Sequence, residues 1–220
     1  MHTTHTTLAE LATDHPAAAR VFLSHGLDFC CKGRRPLSQA CAEKGLDPNG
    51  ILAEIEAMPG SDDDLAAWST QPVPALIGHI LTRYHARLRQ DLPALIAMAD
   101  KVEARHADKP TVPAGLASHL RAMHAAVLDH LAKEETILFP AILSGRGAMC
   151  GGPIQVMEAE HTDHGENLAR MRALAGDLVL PPEACTTWRA LYLGLATLER
   201  ELMEHIHLEN NVLFPRVLMA

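Results

Sequence analysis

The sequence predicts an all-α protein in which a small N-terminal helical domain precedes an antiparallel four-helix bundle. Three observations carry that reading. Only 4% of residues are aromatic, and the apolar content is mostly Ala, Leu, Ile, Val and Met, which suits helices packed on helices better than a β-sandwich. Clusters of Pro and Gly divide the last two thirds of the chain into four long segments. Two of those segments end in HLAKEETILFP (130–140) and HIHLENNVLFP (205–215), which align without gaps at an offset of 75 residues.

The elements follow in order. Residues 1–57 carry short helical signals. Leu8 and Leu11 mark a first helix. Asp14 is expected to cap a second, with Pro16 in its first turn and Gly26 just past its end. Pro36 to Lys44 reads as a third, closed by Gly45. Asp47 and Pro48 open a fourth, with Ile51, Leu52 and Ile55 as its apolar stripe. Residues 58–72, MPGSDDDLAAWSTQP, read as a flexible linker with an r.m.s. span of roughly 20 Å. The bundle, 73–220, is expected as helices at about 74–106, 113–143, 154–176 and 183–218. Pro93 must kink the first of these or start a new segment.

Composition narrows the function classes. The net charge is −8 with His neutral, so there is no general electrostatic pull toward nucleic acid or an anionic membrane. No apolar run approaches the ~20 residues of a membrane helix, and Met1 to Glu10 lacks the pattern of a secretory signal. Five scattered cysteines do not form a disulfide framework, which points to a reducing cytoplasmic setting. Histidine stands out: there are 14, as many as Gly or Pro, which raises the expectation of metal or proton chemistry.

The repeat gives that chemistry an address. Residues i and i+4 lie on one helix face with Cβ atoms about 5–6 Å apart. His130 with Glu134 and His205 with Glu209 can therefore point inward together. A carboxylate can bridge two cations, whereas imidazole binds terminally. Two such helices suit a dinuclear site of borderline-soft ions, with iron as the first choice. His161, His85 and His106 are placed to complete the shells. Seven ligands exceed one tetrahedral zinc site, and no matched Glu-x-x-His pair supports a ferritin-like centre. An isolated His–Glu pair is usually solvated, but recurrence in the same apolar context argues against that here. His164 is a second-choice ligand. His119 lies about 16 Å along the helix from His130, too far for the same metals. His2, His5, His15, His25, His124 and His207 read as solvated.

The His-x-x-x-Glu-x4-Phe-Pro ending on helices two and four resembles the hemerythrin-like di-iron bundle. With DFCCKG before it, EACTTW at 183–188 and LENNVLFP at 208–215, the whole chain resembles the RIC (repair of iron centres) family of iron–sulfur cluster repair proteins. That resemblance implies a non-haem di-iron site on His85, His106, His130, Glu134, His161, His205 and Glu209. Glu134 and Glu209 would bridge two iron ions that also share an oxo or hydroxo group. It implies service under nitrosative and oxidative stress, by iron supply or nitric oxide handling. Damaged iron–sulfur proteins and nitric oxide are the implied partners, and the chain is expected as a monomer or homodimer. A hemerythrin-like O2 or nitric oxide sensor module and a di-iron nitric oxide reductase are the alternative readings.

Cys30 and Cys31 are adjacent, beside Lys32, Arg34 and Arg35 and near the helix opening at Pro36. Positive charge and a helix N-terminus favour thiolate, so a thiol, nitrosyl or redox role is assigned to this pair. Neighbouring side chains do not easily chelate one metal. Cys41, Cys150 and Cys185 read as packing or loop residues. Because every proposed ligand lies beyond Gln71, the bundle is expected to fold and bind metal without the N-terminal part.

Overall fold

The computed structural model describes residues 2–59 and 65–219, and its elements are helical throughout. The N-terminal part holds α1 (Leu8–Asp14), α2 (Ala18–Ser24), α3 (Leu37–Lys44) and α4 (Pro48–Ala57). Thr7 caps α1 in a reciprocal box: its hydroxyl accepts from Glu10 N–H, and the Glu10 carboxylate accepts from Thr7 N–H at 2.9 Å. Asp47 caps α4 by accepting from Asn49 and Gly50 N–H, both at 3.1 Å. Asp14 is the last residue of α1 rather than a cap, and α2 starts at Ala18 without one.

Four long helices form the bundle. Helix α5 spans 73–105, as α-helical Val73–His79, π-helical Ile80–His85 and α-helical Ala86–Arg105. It runs through Pro93, which is exposed, as is Arg89 one turn earlier, so the carbonyl that Pro93 leaves unpaired faces water. Helix α6 comprises Leu116–Lys133, π-helical Glu134–Leu138, Phe139–Ala141 and a last π turn, Ile142–Arg146. Helix α7 is Gly151–Leu174. Helix α8 comprises Thr186–His207, π-helical Leu208–Leu213 and Phe214–Leu218. Each helix packs on the next, and α8 closes the ring against α5.

The repeated Phe-Pro explains two of the π stretches. A proline inside an α-helix clashes with the carbonyl four residues back and offers no N–H. Pro140 and Pro215 each follow directly on a widened π turn, which removes the i to i−4 bond that the proline could not make. The repeat therefore encodes a local backbone widening as well as a ligand pair.

The expected linker is only partly one. Residues 60–64 lie outside the described residues, but Leu65–Ser69 is a 3-10 turn with Leu65 buried. Trp68 stacks on His79 with centroids 3.9 Å apart, and Arg216 donates to the carbonyls of Trp68 and Gln71. One apolar cluster joins Leu8, Phe22, Phe29 and Ile55 of the N-terminal helices to Leu76, Ile80, Phe139 and Phe214 of the bundle. A second fills the rest of the bundle around Leu92, Leu120, Trp188 and Leu195. The two parts share a core, so removing the N-terminal part would expose apolar surface on the bundle.

Candidate metal centre

Between the two apolar clusters lies a knot of buried polar side chains. His85 comes from α5, His130 and Glu134 from α6, His161 from α7, and His205 and Glu209 from α8. None is more than 2% exposed. Three of them, His85, Glu134 and Glu209, sit on π stretches, where such bulges often mark functional positions.

The six residues make two overlapping groups. His85, Glu134, His205 and Glu209 form one, and His130, Glu134, His161 and Glu209 the other, each with its ligand atoms within 4.8 Å of one another. The carboxylates belong to both. Glu209 Oε1 lies 3.0 Å from His205 Nε2, while its Oε2 lies 3.1 Å from His161 Nε2. Glu134 Oε2 is 3.4 Å from both His85 Nε2 and His130 Nε2. Each group could hold a cation with two imidazoles, and the two carboxylates are common to both groups.

Hydrogen bonds behind the ring nitrogens set the tautomers. His85 Nδ1 lies 2.8 Å from Glu135 Oε1, and His130 Nδ1 lies 2.9 Å from Glu160 Oε2. A carboxylate only accepts, so both Nδ1 atoms carry the proton and both Nε2 atoms present a lone pair. His161 Nδ1 donates to Asn210 Oδ1 at 2.7 Å, with the same result. The bare His130 and His161 Nε2 atoms then face each other at 3.0 Å. His85 and His205 Nε2 stand 3.1 Å apart. In the His130–His161 pair, lone pairs aimed at each other repel unless a cation lies between them. Glu135 is gripped by both Arg89 guanidinium nitrogens, at 2.9 and 3.0 Å, and Glu160 by Lys133. Carboxylates behind ligating imidazoles orient the rings and raise their basicity.

Electrostatics agree. Burial, together with the imidazole opposite, holds His85 down to about 4 and His130 to about 2, so both stay neutral and able to coordinate. Burial would raise Glu209, but His205 and His161 outweigh it and hold the carboxyl well below its usual range. Burial and the Glu209 charge push Glu134 well up. Both Glu134 oxygens and Glu209 Oε2 lack a hydrogen-bond partner among the described residues. Buried unpaired carboxylate oxygens cost several kcal/mol unless something positive meets them. The donor set therefore fits hard to borderline divalent or trivalent cations such as iron.

The vicinal cysteines sit against this knot. Asn210, whose oxygen holds His161, donates through Nδ2 to the Cys30 carbonyl at 3.2 Å. Asn211 donates to the Phe29 and Cys30 carbonyls, both at 3.3 Å. The Cys31 thiol donates to the His161 carbonyl at 3.2 Å. Cys30 is buried, and its contact with Cys31, its burial and nearby Asp28 push its thiol well up. The expected positive surroundings are spent elsewhere, since Arg34 pairs with Glu158 and Arg35 with Glu43. These surroundings disfavour thiolate at Cys30, against the sequence expectation. Gly33 is obligatory here, because a Cβ would sit 2.2 Å from the Phe29 carbonyl oxygen.

A family model described as "Hemerythrin HHE cation binding domain" matches residues 76–217, and "Domain of Unknown function (DUF542)" matches residues 4–59. The chain is 48% identical over 214 residues, 96% of either chain, to the iron–sulfur cluster repair protein YtfE of Citrobacter koseri. It is 47% identical, with the same coverage, to the proteins of that name from Escherichia coli O1:K1 and Escherichia fergusonii. The chain belongs to the YtfE-type iron–sulfur cluster repair family. Its hemerythrin-type cation-binding bundle carries the knot described above.

His106 is the exception among the expected ligands of this family member. It caps the C-terminus of α5, 21 residues after His85 and so about 31 Å along the axis. Its Nε2 lies 3.3 Å from Cys185 Sγ, and its ring packs 5.0 Å from that of Trp188. The distance argument that excludes His119, whose Nε2 bonds the Asn167 carbonyl at 2.8 Å, excludes His106 as well. His164 is buried beside His130, with ring centroids 5.0 Å apart, but joins neither group. His207, expected in solvent, is fully buried against Phe29 and Asn211, because the N-terminal part covers the outer face of α8. Glu135, Glu160 and Asn210 escaped the sequence reading. Each is next to a ligand in the chain, and that adjacency is the only signal they offer.

Cys185 is not a simple packing residue. It precedes α8, and His106 together with the Trp188 backbone N–H lowers its thiol to about 7. Because thiolate is the nucleophile, alkylation of Cys185 is expected to rise with pH through an inflection near pH 7. In His106→Ala the inflection should move up toward about 8.5, with metal content unchanged. Labelling read by mass spectrometry checks the first point and metal analysis the second. An unmoved inflection, or lost metal, would contradict them.

Proposed function

We propose that the chain is a non-haem di-iron protein that restores iron–sulfur clusters damaged by nitrosative or oxidative stress. The observation that carries this reading is the pair of four-residue groups sharing Glu134 and Glu209. His85 and His205 would hold one iron, His130 and His161 the other, and the carboxylates would bridge them. Bound iron supplies redox and Lewis-acid chemistry. The protein's own part is to aim His85, His130 and His161 through Glu135, Glu160 and Asn210, and to exclude water with Tyr84, Phe139 and Phe214, which are all buried.

This centre offers iron only nitrogen and oxygen donors. Delivery from this centre to a thiolate-lined acceptor matches the preference of iron–sulfur clusters for thiolate ligands. Among the described residues no single helix is long and apolar enough to cross a membrane. The described cysteines are all free, which supports a reducing setting and iron–sulfur proteins as partners. The test mixes iron-loaded protein with an iron–sulfur enzyme inactivated by nitric oxide. Recovery of its activity, with matching loss of iron from the donor, is expected. No recovery, with turnover of nitric oxide to nitrous oxide by the purified protein, would instead identify a nitric oxide reductase.

A further inference from the structure

The loop before α3 holds a third group of potential ligands that the bundle centre does not use. The Asp28 carboxylate and the Cys30 and Cys31 thiols each offer an atom within 4.8 Å of the others. Adjacent side chains usually diverge, but here a turn brings both sulfurs to one side. Asp28 Oδ1 makes that turn by accepting the Cys31 N–H at 2.9 Å and the Lys32 N–H at 3.3 Å. The sulfurs stand 3.4 Å apart, unbonded. Two thiolates on one tetrahedral cation, each about 2.3 Å from it, lie about 3.8 Å apart. The sulfur–sulfur separation therefore needs to open by only about 0.4 Å.

Access and support are both present. A cleft of about 610 Å³ between the N-terminal helices and α7 is lined by Asp28, Cys30, Cys31, Lys32, Thr162 and Gly165. Asn210 and Asn211 pin the loop from below through the Phe29 and Cys30 carbonyls. Pre-positioned ligands on a held loop are what a cation site requires.

We propose that Asp28, Cys30 and Cys31 bind one borderline-soft divalent cation, of the class of iron(II), separately from the bundle centre. Each thiol gives up its proton to solvent as the cation enters, and no electron moves. The site lies one side chain from the centre, since Asn210 bonds both the Cys30 carbonyl and His161 Nδ1. Its use as a station for iron entering or leaving the bundle rests on the cluster-repair reading. The cation site itself does not.

Cobalt(II) is the probe, titrated without oxygen into full-length protein already loaded at the bundle centre. One further cobalt per chain is expected, with a near-ultraviolet thiolate-to-cobalt charge-transfer band and protection of both cysteines from alkylation. Cys30→Ser and Cys31→Ser should each abolish the band. Asp28→Asn keeps the turn-forming oxygen and should weaken the added site about tenfold. Absence of the band in the wild type, or its persistence in both serine variants, would overturn the proposal. Because the readout is cobalt binding, failure here and failure of the reactivation assay are told apart.

Discussion

Glu134→Leu is expected to abolish high-affinity binding of at least one iron and all coupling between irons, while leaving the metal-free protein at least as stable as the wild type. The two halves of that result have one cause. Glu134 is fully buried, and neither of its oxygens has a hydrogen-bond partner among the described residues. Without metal, a leucine of similar volume removes a desolvation cost rather than an interaction. With metal, it removes the anion that both ions share. Wild-type protein should gain about 2.7 kcal/mol at free metal a hundredfold above the dissociation constant. The variant should lose most of that gain. Thermal melts with and without iron check both halves. A metal-free variant that melts well below wild type would make Glu134 a structural residue instead.

Phe29→Ala is expected to cost about 3–5 kcal/mol, the usual penalty for emptying a buried aromatic site. Phe29 is wholly buried, 6.0 Å from the Phe22 ring and 5.5 Å from the His207 ring, so it plugs the seam between the two parts of the chain. Deleting residues 1–59 should be worse. It would uncover Leu76, Ile80, Phe139, Phe214 and His207 together, leaving an apolar face that aggregates. Denaturant unfolding of Phe29→Ala and the solubility of the truncated chain measure these effects. A truncated bundle that stays monomeric and melts like the full chain would support the independent-domain expectation.

Periodic and repeated features were legible in the sequence, and features made by the docking of distant parts were not. His-x-x-x-Glu at 75-residue spacing places four ligands because helix geometry alone puts i and i+4 together. His85 and His161 do not follow from the repeat, since they stand 76 residues apart; they enter as further histidines on the other two helices and as what the family resemblance implies. His106 fails on rise per residue, a limit already applied to His119. The burial of His207 could not be read from its own helix, because what covers it is Phe29, far away in the chain. The raised Cys30 thiol has the same origin: Arg34 and Arg35 point to Glu158 and Glu43, partners that only the tertiary fold supplies. The π turns before Pro140 and Pro215 were implicit in the Phe-Pro repeat. The intact helix at Pro93 was not, since exposure alone decides it.

Metal analysis with Mössbauer spectroscopy of iron-loaded wild-type protein bears most directly on the shared-carboxylate centre. The arrangement of Glu134 and Glu209 between two pairs of imidazoles predicts two irons per chain, antiferromagnetically coupled through common bridges. One iron per chain, or two magnetically independent irons, would contradict it.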